Sequence, residues 1–229
     1  MKPVYRDRRE AGQQLSKELL HYKQARDTLV LALARGGVPV ANEIASTLNL
    51  PLDLLCIHKL YAPHHPDLLI GAVASDSVKI IDDDLVKNLH LTDAQLQQLV
   101  NHASKELQIK EKLYRGGLAA ADKRNKTIIL VDDGIASGTS MRTALEVVSK
   151  LEPRRIVVAV PSAAGDTIGD IRLAVDELVC LSTPEPYLAV KHTYQISDLP
   201  NDQDIQRILS QKLGRITEPK PQPSAPHYM

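Results

Sequence analysis

Two adjacent carboxylates, Asp132 and Asp133, stand directly before a run of small and hydroxylated residues, Gly134-Ile135-Ala136-Ser137-Gly138-Thr139-Ser140. The five residues ahead of the acids, TIILV, are apolar and largely β-branched, as in a strand buried on both faces. Residues 141 to about 150 read as a helix. The acids therefore sit at the carboxyl end of a strand, and the small-residue loop opens into a helix start. Free backbone N–H groups and the helix dipole at such a start bind phosphate. Ser137, Thr139 and Ser140 add hydroxyl donors, while Gly134 and Gly138 let the backbone come close. The lysine of a G-x-x-x-x-G-K-[ST] loop is missing, and the glycines of a dinucleotide fingerprint precede their acid instead of following a pair. A sugar phosphate meets both halves of the run, with its phosphate in the loop and its ribose hydroxyls on the carboxylates. The plainer reading is a solvated acidic turn followed by a Ser/Thr-capped helix.

The flanking elements have to place this loop. Residues 6–22 carry apolar positions at helical spacing, residues 28–34 read as a buried strand, and residues 39–48 as a helix with Pro39 suited to its first position. Residues 52–57 predict a strand, and 61–67 a proline-rich loop. Residues 70–74 and 78–81 form a candidate hairpin around Ser75-Asp76-Ser77. Thr92 and Gln95 make a capping box for a long helix with Leu96, Leu99, Val100, Ala103, Leu107 and Leu113 on its apolar face. Strands at 155–160 and 178–181, helices at 167–175 and 202–213, and a proline-rich, disordered tail at 218–229 complete the chain. Strands alternating with helices predict an α/β fold of three layers. Its central sheet would be mostly parallel with helices on both faces, carrying a small hairpin insertion and occupying residues 1–217 as one domain. Ligands bind such sheets at the carboxyl ends of strands, where the strand order reverses.

Two further pieces fall at strand ends in this scheme. Ala34-Arg35-Gly36-Gly37 follows one strand and precedes a helix, a second candidate anion site in which Arg35 could grip phosphate oxygens. A bare glycine turn is the alternative. Lys59 closes the 52–57 strand next to His58, either as a phosphate-binding cation or as a solvated strand-end lysine. His64 and His65 lack further ligands at metal spacing, which is weak ground for a metal site.

The 229 residues hold 28 basic and 28 acidic side chains, so no bulk field argues for nucleic acid or a membrane surface. No stretch approaches the roughly 18 apolar residues of a spanning helix, and MKPVYRDRRE lacks a signal peptide's apolar core. With Cys56 and Cys180 in apolar runs, reduced thiols and a cytoplasmic location are expected. Phe and Trp are absent, so Leu, Ile, Val and Ala must build the core.

VDDGIASGT resembles the 5-phosphoribosyl 1-pyrophosphate (PRPP) motif of type I phosphoribosyltransferases. ARGG, Arg115-Gly116-Gly117, KLYAPHHPDLLIGAV and TPEPY further resemble segments of a group of uncharacterised bacterial phosphoribosyltransferase-like proteins, so that the likeness covers most of residues 5–190. The resemblance implies a Mg²⁺-dependent glycosyltransferase (pentosyltransferase) of nucleotide metabolism. Asp132 and Asp133 would meet the ribose hydroxyls, Ala136 to Ser140 the 5′-phosphate, and Arg35, Gly36, Gly37 and Lys59 the pyrophosphate, with Gly134 also among the PRPP-binding residues. For the stretch around His64 and His65 the family likeness implies a mobile loop that closes over the substrate. Asp132, Asp133 and Lys59 would be the catalytic side chains, and magnesium would be held through PRPP and water rather than by the protein. The expected partners are PRPP and a small nitrogenous acceptor, with neither nucleic acid nor membrane, and a homodimer is compatible with the class. Ala136 stands where some purine-specific relatives carry a third aspartate, so that proton acceptor is missing. Lys191 and Ser197 replace a glycine and a phenylalanine after TPEPY, on the nucleobase side. Tyr187 and Tyr194 there could stack a planar ring or serve in ordinary packing. Arg115 has the alternative role of a cation at a helix C-terminus. A non-catalytic PRPP-binding regulator and a sugar-phosphate hydrolase or phosphorylase stay open as rivals.

Overall fold

The computed structural model describes residues 4–217; the proline-rich tail lies outside the described residues. Its central sheet has five strands, β1 (Thr28–Leu33), β2 (Leu52–Leu55), β6 (Thr127–Val131), β7 (Arg155–Ser162) and β8 (Glu177–Ser182), in the spatial order β2-β1-β6-β7-β8. All four pairings are parallel. Every residue of β1, β2 and β6 is buried, as the apolar runs of β1 and β6 require, and β2 buries Asp53 with its leucines. One face is covered by α1 (Arg8–Glu18), α2 (Gly37–Leu48), α4 (Asp93–Arg115) and α7 (Asp202–Thr217). The other is covered by α5 (Thr139–Ser149) and α6 (Gly165–Leu173). The chain leaves β1 for β2 on one side and returns through β6 on the other. The order therefore reverses between β1 and β6, and the crevice for a ligand opens at their carboxyl ends.

A second, antiparallel sheet of β3 (Ile57–Ala62), β4 (His65–Ala74) and β5 (Lys79–Ile81) rises beside this rim, and the short helix α3 (Asp83–Asn88) follows it. The expected hairpin around residues 75–77 is its β4–β5 half. The expected 61–67 loop is instead the β3–β4 turn region, with His64 at a positive φ of 63° and His65 opening β4. The strand expected over 52–57 breaks at Cys56, where the chain passes from one sheet to the other. Lys59 is therefore an internal residue of β3 and not a strand end. Pro39 occupies the third position of α2 and not the first, since that helix begins at Gly37. The capping box of Thr92 and Gln95 is present, although Leu113 is 43% exposed and Tyr114 turns inward in its place.

A buried charge network joins the two sheets. Asp53 of β2 is fully buried and pairs with Arg115, the last residue of α4, and with Lys123 at 3.3 Å. Arg115 also donates to the Leu54 carbonyl at 3.0 Å, and Lys123 reaches Asp76 beyond β4 at 2.9 Å. The Gly116 and Gly117 that follow Arg115 take φ values of 59° and 87°, and Gly116 ends α4 in the left-handed conformation. Arg115 is thus a helix C-terminal cation and also a clamp on β2, while Lys123 links that strand to the turn between β4 and β5 of the sheet that carries Lys59.

Candidate active site

A pocket of about 370 Å³ occupies the crevice. Its wall combines Ala34 and Gly36 after β1, Lys59 of β3, Asp132 and Asp133 after β6, and Gly134 through Gly138 with Ser140. Three stretches separated in sequence thus meet at one rim. Gly138 has φ +75° and stands as the N-cap of α5 without a side-chain cap bond, so the first-turn amides stay available to an anion. Ser137 and Thr139 hydroxyls lie 3.2 Å apart, and the Thr167 hydroxyl donates to the Ala136 carbonyl at 2.9 Å, fixing the loop from behind. The Lys59 ammonium donates to Ser140 Oγ at 3.0 Å, which puts a cation at the start of α5.

The two acids have unequal surroundings. Asp132 is half-buried on the pocket wall and accepts the Asp133 amide on Oδ1 at 2.8 Å. Burial, then the neighbouring Asp133 charge, push its carboxyl well above the usual carboxylate range. Asp133 is 8% exposed, and its Oδ2 accepts from both Nε and Nη2 of Arg8, at 2.8 and 2.6 Å. Arg8 escaped the sequence reading because nothing in Arg6-Asp7-Arg8-Arg9-Glu10 marks it off from its basic neighbours. Only the fold shows that it is buried while Arg6 and Arg9 are exposed.

The second anion loop divides in two. Gly36 lines the pocket, and Gly37 packs so tightly on β6 that a Cβ there would come within 2.5 Å of the Val131 carbonyl oxygen. The Arg35 side chain is half exposed and stands 3.8 Å from Asp202, outside the pocket wall. The Ala34–Arg35 peptide is cis.

Beyond the phosphate loop lies a second cavity of about 710 Å³, which shares Ala136 and Ser137 with the first. Asp166, Thr167, Glu185, Tyr187 and Arg142 also line it. Tyr187 stands at the junction, with its hydroxyl 3.1 Å from Ser162 Oγ and close against Gly134. Tyr194 does not share this position. It is 3% exposed, its hydroxyl donates to the Asp133 carbonyl at 2.5 Å, and its ring faces the Arg8 guanidinium at 4.8 Å. Of the paired tyrosines, only Tyr187 reaches a cavity, and Tyr194 is a packing and anchoring residue. His64 and His65 line a small separate depression with Leu89 and His90. Among the described residues, no group of three His, Cys, Asp or Glu side chains is arranged to hold a metal, and no helix is long and apolar enough to cross a membrane.

The fold is an α/β architecture whose parallel sheet gathers two acids, a helix start and a lysine at its switch point. The chain belongs to the family of the phosphoribosyl transferase domain, whose model matches residues 4–191. A Mycobacterium tuberculosis protein named "Putative phosphoribosyl transferase Rv0571c" is 34% identical over 202 residues, 88% of this chain and 45% of that protein. The chain thus spans about half the length of the curated relatives it matches. The crystal structure of TT1426 from Thermus thermophilus superposes with a TM-score of 0.78 at 33% identity, over 93% of this chain and 99% of that one. A hypothetical protein from Neisseria gonorrhoeae, solved with bound ppGpp, shares the fold at 14% identity and a TM-score of 0.50, over 92% and 98% of the two chains.

Proposed function

We propose that the protein binds PRPP with Mg²⁺ and transfers its phosphoribosyl group to a nitrogenous acceptor, releasing pyrophosphate. The observation that carries this reading is the meeting of Asp132, Asp133, Lys59, Gly36 and the uncapped start of α5 around one pocket. The 5′-phosphate would take the amides and hydroxyls of residues 136–140, and the ribose hydroxyls the two acids. The pyrophosphate would lie toward Gly36, within reach of Lys59 and of an Arg35 that turns inward from Asp202. The acids would then stabilise positive charge building on the ribose ring as the leaving group departs, with no protein nucleophile required. The donor set fits a metal carried by the ligand's own oxygens and water. When bound, the ion would neutralise the departing pyrophosphate.

The acceptor would enter by the second cavity, with Tyr187 at the junction. Arg142 there is already engaged by the Ser137 carbonyl and Asp170, at 2.9 Å each. Asp166 and Glu185 then leave the lining net acidic, which suits amino-bearing or neutral acceptors and disfavours carboxylated ones. A PRPP-binding regulator is the second reading, favoured by Ala136, which leaves the loop without a third acid. Measurement of PRPP-dependent pyrophosphate release over nucleobases, amines, ammonia and carboxylated heterocycles tests both. Release with an amino or neutral acceptor supports the transferase; saturable PRPP binding without release for any acceptor supports the regulator. Absence of PRPP binding refutes both.

A further inference from the structure

Arg8 is a buried charged group that the reaction scheme above does not use. It is 5% exposed, yet it comes from α1, an element that contributes nothing to the pocket wall. Beyond its two bonds to Asp133 Oδ2, its Nη1 donates to the Ser197 and Asp198 carbonyls at 2.9 and 3.0 Å. The surrounding backbone is clasped in register. Val4 and Tyr5 amides donate to the Thr193 carbonyl, Gln195 donates to Tyr5, and Ile196 donates to Arg6, over 2.8–3.1 Å. The two chain segments thus form a strap that seats one guanidinium against the back of the second acid. A cation is retained in such surroundings only with full compensation, and a two-pronged contact fixes direction as well as charge.

We propose that Arg8 is a positioning residue of the sugar-phosphate site: it pins Asp133 Oδ2 from behind and compensates that charge, leaving Oδ1 and the Asp132 carboxylate to face the ligand. This rests on the PRPP-binding reading. The titratable and charged groups facing the acid pair are Arg8 from α1, Tyr187 and Tyr194 from the segment after β8, and Lys59 from β3. Burial pushes both tyrosines up, so they stay neutral while carboxyls titrate. Lys59 is turned to Ser140. Burial and then Asp133 push the Asp132 carboxyl up, and Arg8 acts in the opposite direction. Without Arg8, two adjacent carboxylates would repel each other uncompensated, and the pair would be less fit to present acceptors to ribose hydroxyls.

The test is calorimetric titration of PRPP with Mg²⁺ into wild type, R8M, R8K and D133N across about pH 5 to 9. For R8M the acidic limb of the affinity profile should move up by about one pH unit, a tenfold change in the proton equilibrium, with affinity recovering as pH rises. R8K keeps the charge and loses the fork; its limb should stay near the wild-type position at lower affinity. D133N removes the like charge while keeping Arg8, so its limb should move down, and this arm stands even if R8M does not fold. A uniform loss across pH in R8M, or no change in the limb of either R8M or D133N, overturns the proposal. A wild type that binds no PRPP refutes the underlying reading instead.

Discussion

Gly36 is the point where the two anion loops touch, and Gly36→Ala probes that contact. A Cβ at this position would stand 2.3 Å from Oδ2, 2.4 Å from Cγ and 2.7 Å from Oδ1 of Asp133. An exposed carboxylate would swing away, but this one is 8% exposed and held by two N–H groups of Arg8. The strain must therefore break those bonds or push the loop that leads into α2. Overpacking of this sort costs about 1–3 kcal/mol, and a charge-assisted hydrogen bond contributes about 1.5–3 kcal/mol. Since the moved groups face the ligand, PRPP affinity should fall by about ten- to a hundredfold, at 1.4 kcal/mol per tenfold. Gly37→Ala provides the contrast. Its Cβ would meet the Val131 carbonyl oxygen at 2.5 Å and the Asp132 Cα at 3.0 Å, backbone atoms of the central strand and its end that cannot yield. Gly37→Ala should lower Tm more than Gly36→Ala does. Calorimetry with PRPP and thermal unfolding followed by circular dichroism measure both quantities. Wild-type PRPP affinity in Gly36→Ala would refute the reasoning, because the site would then not depend on the packing of Gly36 against Asp133.

Gly138→Val should abolish measurable PRPP binding while leaving the helical circular dichroism intact, because φ +75° excludes a branched side chain and a Cβ would lie 2.4 Å from Thr167 Cγ2. Asp132→Asn should raise Tm at neutral pH. The folded-state carboxyl of Asp132 is raised above its ordinary value, so the folded chain holds that proton more tightly and loses this contribution as pH rises past the unfolded value. The expected gain is a few degrees, at about 2–4 °C per kcal/mol, and an unchanged or lower Tm in a thermal scan counts against it. Arg115→Met should cost about 3–5 kcal/mol in urea unfolding, as expected when one partner of a buried pair is removed. A loss below about 1 kcal/mol would mean that Lys123 alone compensates Asp53.

The parallel core was legible because burial on both faces leaves an unbroken apolar run, and Thr127–Val131 and Thr28–Leu33 are such runs. The long helix was legible because its capping box is local chemistry. The second sheet was only half legible. Proline and histidine in YAPHHPD suggest a loop, yet Pro66 lies within β4 and the paired backbones of β3 and β4 override the local preference. Within the site, the motif loop showed itself through its own small residues. Arg8 and Asp53 did not, since pairing across 125 and 62 residues leaves no spacing to read. Tyr194 shows the same limit from the other side, for one tyrosine near an expected pocket looks like another until burial separates them.

The acid pair also explains how a fold can hold two carboxylates side by side at the end of its central strand. Asp133 is compensated from behind by Arg8, itself seated on two carbonyls and an aromatic face, so its charge contributes to the structure. Asp132 has no such partner, and its unfavourable burial is the stability cost of keeping a free acid on the pocket wall. Binding a ligand that brings ribose hydroxyls and cationic charge would relieve that cost. One acid held by a buried cation beside one without a cation suits the proposed site, where the second acid would meet the ligand. The plain reading of Asp132-Asp133 as a solvated acidic turn accounts less well for this arrangement. A solvated turn gives no reason for Asp133 to be buried against an arginine 125 residues away in the sequence.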